Sequence, residues 1–409
     1  MNDIKPFQLN GCNIINDHDS LLTPEQICAL IKKIFKSSNV VVDGKQFIIN
    51  KKTALLVKNI SYLGYNKKND DLRLERKRIQ LPSYFVDYVN ENSTKGITTY
   101  YMGIYSYEKE KDFLFALFDT SSYIGKKSNN SSAHLSIYDL LSARNRGYFF
   151  KTDKFENKIY LLNTENLYDF IMNDNSVVKE YSEKEYELLM YIKKFWQNIP
   201  LELKGDECYK EMFNEGFSKT FESEWVGFYQ EFLFEKFLKN NYTDLIVLHG
   251  DKKKDGIDLD LKILFADDFY ADLKADNENF DIQGNKQKTI DDILNKNGHI
   301  WYIVAAFNCV VMDKTVNFVV METYNFLKEK FNSSVTSKSK KKDINMNYSE
   351  KMKYSVKMAS FYVLDINNAN QQFLLEYAQG KNSNGRERTP KYKITKKKLD
   401  EFKIFEFIK

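Results

Sequence analysis

The sequence predicts an α/β (α+β) chain, with a mainly β N-terminal module followed by a domain built on a central mixed sheet flanked by helices. Three observations carry this. Between residues 39 and 163, segments rich in β-branched and aromatic residues recur, separated by polar turns. From residue 223 onward, helix-like and strand-like segments alternate. HIWYIVAAFNCVV (299–311) is a continuous apolar run, as a central strand buried on both faces requires.

The N-terminal module is expected over 1–175. It opens with a helix at TPEQICALIKKIF, where Thr23 caps, Glu25 follows, and Ile27, Leu30, Ile31 and Ile34 share one face. Strands are read at NVVVDGKQFII, TALLVKNISYLGY, ITTYYMGIYSY and DFLFALFDTSSY. SIYDLLSARNRG reads as a short helix ending at Gly147, with Arg144 and Arg146 complementing its C-terminal dipole. YFFKTDKFENKIYLL reads as a hairpin. Residues 176–210 read as a helical connector, and the second domain is expected over 211–409.

In that domain SEWVGFYQEFLFEKFLKNN has helical spacing, and TDLIVLHG, GIDLDLKILF and DFYADLKAD read as three strands. The helix QKTIDDILNKNG ends at Gly298 before the apolar strand, and NFVVMETYNFLKEKF reads as strand then helix. SSVTSKSKKKD (333–343) is a polar, Lys-rich loop. KYSVKMASFYVLDI reads as a strand, ANQQFLLEYAQG as a helix and PKYKIT as a short strand.

Bulk properties narrow the function. The 409 residues suit two or three domains at roughly 100–200 residues each. With 43% hydrophobic and 29% charged residues, a globular protein is expected. Cys12, Cys28, Cys208 and Cys309 are scattered, as are the four histidines, so neither a zinc site nor a disulfide framework is expected and a cytoplasmic location is. The N-terminus has no basic segment followed by an apolar one, and no run of about 18 apolar residues occurs, so neither a signal peptide nor a membrane span is expected. Net charge is +4, but from Lys338 onward 17 Lys or Arg stand against 8 Asp or Glu, which favours contact with phosphates. No glycine-rich phosphate loop or Gly-x-Ser-x-Gly elbow is present, which disfavours an NTPase or an α/β-hydrolase.

The chemistry concentrates in DGIDLDLKILFADDFYADLKAD (255–276). Side chains alternate along a strand, so Asp272 and Lys274 share a face. A hairpin turning at Ala266-Asp267-Asp268 brings Asp258 to the same end of the sheet. Neighbouring carboxylates repel unless a cation joins them, and hard oxygen ligands suit Mg²⁺. Such an ion lowers the pKa of a bound water and stabilises charge on a phosphoryl group, while Lys274 would hold or help deprotonate the attacking water.

This block resembles the PD-(D/E)XK nuclease superfamily, and type II restriction endonucleases within it. The match is Asp258, 13 residues, then Asp272-Leu273-Lys274, followed by the helix QKTIDDIL and the strand HIWYIVAAF. The resemblance implies a core of helix, hairpin, helix and strand, with Asp258 and Asp272 as metal-binding acids and Lys274 as the catalytic lysine. The second acid is Asp rather than the commoner Glu, and no Pro precedes Asp258. The family's helix acid carries over to Glu231, a further metal-shell residue, with Glu235 as its rival. Gln283, Asn285 and Gln287 are the polar residues that would approach the scissile phosphate. Asp260-Leu261-Lys262 is a second Asp-x-Lys; it is the weaker match, because the segment after it is strand-like, and Asp260, on the same strand face as Asp258, is read as an additional ligand or a solvated neighbour. NNSSAHLSIYDLLSA and QGKNSNGRERTPKYKI look like segments of restriction enzymes that carry an N-terminal recognition module.

The resemblance implies a site-specific double-stranded DNA endonuclease that hydrolyses phosphodiester bonds with Mg²⁺, accompanied by a cognate DNA methyltransferase. A palindromic target would call for a two-fold homodimer. Candidate DNA contacts are Lys126, Lys127, Asn129 and Asn130 in the N-terminal module, and Lys381, Asn382, Asn384, Arg386 and Arg388 near the C-terminus. His134, a lone histidine, is read as structural. The rival readings are a modification-dependent endonuclease and a DNA-binding protein whose acids merely face solvent.

Overall fold

A computed structural model describes residues 5–64, 73–107, 112–127, 131–217, 225–250, 257–265, 269–311, 319–320, 322–323, 326–327, 353–380 and 387–408. The fold is mixed α+β. The chain divides into two compact units, Met1–Tyr186 with Asn367–Gln371, and Glu187–Ile366 with Gln372–Lys409.

The first unit opens with the hairpin β1 (Phe7–Asn10) and β2 (Asn13–Asn16). Helix α1 (Pro24–Ile34) follows. Thr23 caps it through a reciprocal pair in which the partner is Gln26 rather than the neighbouring Glu25: Gln26 N donates to Thr23 Oγ1 (3.3 Å) and Thr23 N to Gln26 Oε1 (2.8 Å). Then come β3 (Val40–Asp43), β4 (Gln46–Ile49), β5 (Thr53–Asn59), β6 (Ser61–Tyr62), β7 (Arg76–Leu81) and α2 (Phe85–Thr94). They are followed by β8 (Thr98–Tyr107), β9 (Asp112–Asp119), β10 (Ser131–Ser136), α3 (Ile137–Arg146), β11 (Tyr148–Thr152), β12 (Lys158–Asn163) and α4 (Thr164–Met172).

Seven of these strands form one sheet in the order β11-β12-β9-β8-β5-β4-β3, antiparallel except for the parallel pair β5–β8. A three-stranded antiparallel sheet, β10-β7-β6, meets it through Ile60 and Ile79. A Cβ at Gly103 of β8 would lie 2.5 Å from Ile60 and 2.8 Å from Ile79, so glycine is what allows that approach. Ser136 and Asp139 form the box that starts α3, and Gly147, at φ 84°, ends it as expected.

Helix α5 (Val177–Asn198) carries the division between the units, so the stretch read as a connector holds α5, then β13 (Glu202–Lys204) and the start of α6 (Gly205–Asn214). The second unit continues with α7 (Trp225–Asn240), β14 (Ile246–Leu248), β15 (Leu261–Ile263), β16 (Phe269–Asn277), β17 (Ile282–Lys286), α8 (Gln287–Asn297) and β18 (His299–Val311). After it come β19 (Ser355–Asn367), β20 (Leu375–Tyr377), β21 (Lys391–Ile394) and β22 (Lys403–Ile408).

The main sheet of this unit runs β13-β19-β18-β16-β15-β14, with β22 on β19. The apolar run at β18 pairs in parallel with β16, while β14, β15 and β16 are antiparallel neighbours. The sheet carries a helix on each face beside β16. Helix α7 covers Ala275, which lies 4.0 Å from the position of a Cβ at Gly227. Helix α8 buries Ile290, Ile293 and Leu294 in one cluster with Tyr270, Tyr302 and Val304 on the opposite face. Each such side chain contributes roughly 1.5–3 kcal/mol on full burial.

Two sequence readings need correction here. ANQQFLLEYAQG is not a helix: Gln371–Phe373 make one 3-10 turn and Leu375–Tyr377 pair with β21 as β20. Val319 and Val320, read as strand, are helical. The turn 266–268 and the loop 333–343 lie outside the described residues.

Candidate active site

The site is built where β15 meets β16. Their register pairs Leu261 with Ala271, which sets Asp260, just before β15, beside Asp272. The two acids exchange side-chain bonds with the opposite backbone. Asp260 N donates to Asp272 Oδ1 (3.1 Å), and Leu273 N donates to Asp260 Oδ2 (3.2 Å). Strand alternation puts Asp272 and Lys274 on one face, and they form an ion pair. Lys274 Nζ also lies 5.1 Å from the ring centroid of Tyr302, the residue opposite Asp272 on β18.

Asn285 joins these parts from β17. Its Nδ2 donates to Asp272 Oδ2 (3.0 Å) and to the Asp258 carbonyl oxygen (3.2 Å), while its backbone N donates to Tyr302 Oη (3.1 Å). A Cβ at Gly284 would sit 2.9 Å from Tyr302 Oη and 3.0 Å from the Tyr392 carbonyl, so glycine permits this close seating. Asp258 lies in the segment before β15, and its exposed carboxylate takes a 3.3 Å bond from Lys286 Nζ.

Asp272 is 4% exposed. Burial pushes its carboxyl above the ordinary carboxylate range, Lys274 opposes this, and Asp260 adds to it. For Lys274, burial alone would lower the ammonium; Asp272, then Tyr302 and Asp260, outweigh that and hold it above the usual lysine value. A buried ion pair of this kind gains little net stability over an apolar pair, yet losing one partner strands the other.

The structure therefore brings Asp272 and Lys274 together and sets Asp260 and Asn285 beside them, whereas Asp258 adjoins them through its carbonyl oxygen and turns its carboxylate to Lys286. Asp260 belonged to the weaker sequence match, and its spacing of two from Asp258 and twelve from Asp272 was the available signal. Asn285 stood only among the polar residues before the helix. Glu231 is placed elsewhere. It lines a cavity of about 200 Å³ with Val226, Gly227, Phe228, Ala275, Phe307 and Lys353, on the β16 face opposite to Asp272 and Lys274. Glu235 lines a separate hollow with Glu215, Phe217 and Lys236.

Among the described residues, no three His, Cys, Asp or Glu side chains converge as a preformed metal cage. Mg²⁺ does not require one, because it binds through one or two carboxylates and keeps several waters and phosphate oxygens. The residues present fit that habit. Asp260 and Asp272 are adjacent hard donors, and Asn285 Oδ1 is buried with no hydrogen bond among the described residues. Gln287, the first residue of α8, likewise buries an Nε2 without an acceptor among the described residues.

Of the residues expected to touch DNA, Gln283 is exposed on β17 opposite Lys393, and Arg388 is exposed with its N donating to the Gly380 carbonyl (3.0 Å). Lys126 and Lys127 are exposed, with Lys126 Nζ 4.5 Å from the Tyr123 ring centroid. Asn129, Asn130, Lys381, Asn382, Asn384 and Arg386 lie outside the described residues.

Residues 51–171 match the family described as methylase-associated X1. The methylase-associated X1 match begins in the turn before β5 and ends within α4, so it covers β5 to β12 with α2 and α3, all in the first unit. The β15–β16 site lies outside it. No curated protein and no solved structure matches the chain.

Proposed function

We propose that this protein is a Mg²⁺-dependent, site-specific endonuclease of duplex DNA, acting in a restriction–modification system with a cognate DNA methyltransferase. The observation that carries the proposal is the junction at the end of β15, where Asp260, Asp272, Lys274 and Asn285 are bonded to one another or to the adjoining backbone, with Asp258 alongside. The words "methylase-associated" in the family description of residues 51–171 support the restriction–modification setting.

Asp272 and Asp260, with Asp258, would hold the ion, and Asn285 keeps Asp272 and the Asp258 backbone in register. Bound there, Mg²⁺ would supply Lewis-acid charge at the scissile phosphate. Lys274 projects from the same strand face and orients a water for in-line attack through its N–H donors. The water oxygen bonds to phosphorus as the bond from phosphorus to the departing sugar oxygen breaks. One water proton passes to solvent, and the departing oxygen takes one up. Glu231, on the other face of β16, has no part in this scheme.

The test is digestion of unmethylated and methylated DNA by wild type and Asp272→Ala, with Mg²⁺ or with EDTA. Discrete fragments from wild type with Mg²⁺ alone, lost in the variant, are the expected result. Cutting confined to methylated DNA would favour a modification-dependent enzyme. Undiminished cutting by Asp272→Ala would remove this site from the reaction. Salt-sensitive DNA binding with no cutting on either substrate would leave a binding protein.

A further inference from the structure

The edge sheet of the first unit presents a basic, polar face that the endonuclease reading does not use. Strand β7 carries three consecutive cations, Arg76, Lys77 and Arg78, and period-two alternation separates them. Lys77 turns inward, fully buried, and its Nζ pairs with Asp19 Oδ1 at 2.7 Å. Arg76, Arg78 and Gln80 turn to the other face. Glu75 lies 3.7 Å from Arg76 Nε, whereas no carboxylate pairs with Arg78 among the described residues.

The antiparallel partner β10 extends this face, because its register sets His134 opposite Arg78 and Ser132 opposite Gln80. On the other side, β6 sets Ser61 opposite Arg78. Partial burial, then the positive charges of Arg78, Arg76 and Lys154, hold the His134 imidazole below its ordinary value, so all three cations act at one place. Lys154 belongs to the β11–β12 turn, where its Nζ stands 4.9 Å from the ring centroid of Phe155, a side chain 72% exposed.

We propose that this β7–β10 face docks on duplex DNA, with Arg78, Arg76 and Lys154 on phosphates and Gln80 and His134 towards base edges. The proposal rests on the endonuclease reading for its choice of duplex DNA. Charge complementarity supports that occupant, since Arg78 and Lys154, with no carboxylate partner among the described residues, stand with Arg76 among short polar side chains. Shape supports it too, because the major groove admits a two-stranded β-ribbon, and six residues of strand span about 20 Å. Gln80 has the paired donor and acceptor that adenine presents in reverse.

The experiment is fluorescence anisotropy with a labelled duplex in EDTA, titrated at several salt concentrations, for wild type, Arg78→Gln and Arg78→Lys. Thermal melting of each variant checks the fold. Arg78→Gln should bind about tenfold more weakly and lower the slope of log K against log salt by about 1, while Arg78→Lys keeps the wild-type slope. An unchanged slope in a folded Arg78→Gln overturns the proposal, as does a wild type that prefers single-stranded RNA to the duplex. Should Arg78→Gln fail to fold, Gln80→Ala with His134→Ala is the second variant; its binding must also weaken, or the face is not the docking surface. Binding in EDTA separates the two readings. Arg78-dependent binding with no cutting in Mg²⁺ removes only the nuclease; cutting by wild type with indifferent Arg78 variants removes only this surface.

Discussion

Replacing Asp272 by Asn removes one charge while keeping the shape of the side chain, and its cost follows from the neighbours. Lys274 has a side chain only 18% exposed and depends on Asp272 for its counter-charge. Stranding one member of a buried pair costs about 3–5 kcal/mol. Two effects pull towards the lower end: the amide oxygen still accepts from Asp260 N, and the repulsion between Asp272 and Asp260 disappears. A loss of about 3 kcal/mol lowers the melting temperature by roughly 6–12 °C for a unit of this size, at about 2–4 °C per kcal/mol. Thermal melting in EDTA measures it. Adding Lys274→Met should recover most of the loss, because an apolar replacement of the whole pair is close to neutral. Titrating Mg²⁺ into wild type should then raise its melting temperature, by the equivalent of about 2.7 kcal/mol at a hundredfold excess over Kd, and Asp272→Asn should lose most of that gain. An Asp272→Asn protein as stable as wild type, with no recovery in the double variant, would refute the buried ion pair.

Two further outcomes follow from the same contacts. Gly284→Ala pushes a methyl to within 2.9 Å of Tyr302 Oη, so it should displace Asn285 from Asp272 and lower kcat with DNA affinity unchanged; single-turnover cleavage beside anisotropy checks this, and equal kcat would count against a positioning role for Asn285. The His134 imidazole should titrate below its unfolded value of about 6.5 by proton NMR and move up in Arg78→Ala. Because the folded value is the lower one, the unfolded chain takes up the proton first, so this group weakens the fold as pH falls through the unfolded value and has no effect above it.

The elements legible in the sequence are those whose pattern and punctuation agree. Helix α3 shows its Ser136 start and its Gly147 stop, and β18 shows an unbroken apolar run. Helix α2, FVDYVNENST, escapes notice because its β-branched residues, Asn and Ser are weak helix formers held by packing at Phe85, Val86 and Val89. Strand β7, RKRIQL, escapes notice as well, because the buried Lys77 breaks the apolar alternation of Ile79 and Leu81. LLEYAQG fails in the other direction: helix-favouring residues pair as β20 because β21 supplies a strand edge.

The same distinction governs the site. Asp272 and Lys274 are readable together because alternation is a local property of one strand. The neighbour of Asp272 is not local, since it depends on the register of β15, which pairs Leu261 with Ala271 and so makes Asp260 the adjoining acid. The face of β16 reached by Glu231 depends on the rotation of α7 over Ala275, which no spacing within the helix encodes. The register also explains why the acids stand so close. Each gives one oxygen to a backbone N–H of the other strand, which anchors the carboxylate on the rigid sheet and leaves its second oxygen for other partners. On Asp272 that second oxygen meets Lys274 and Asn285. Two like charges are thus fixed side by side by the ladder itself. Such an arrangement favours a bound cation without any loop having to close, because sheet-mounted donors are already in place.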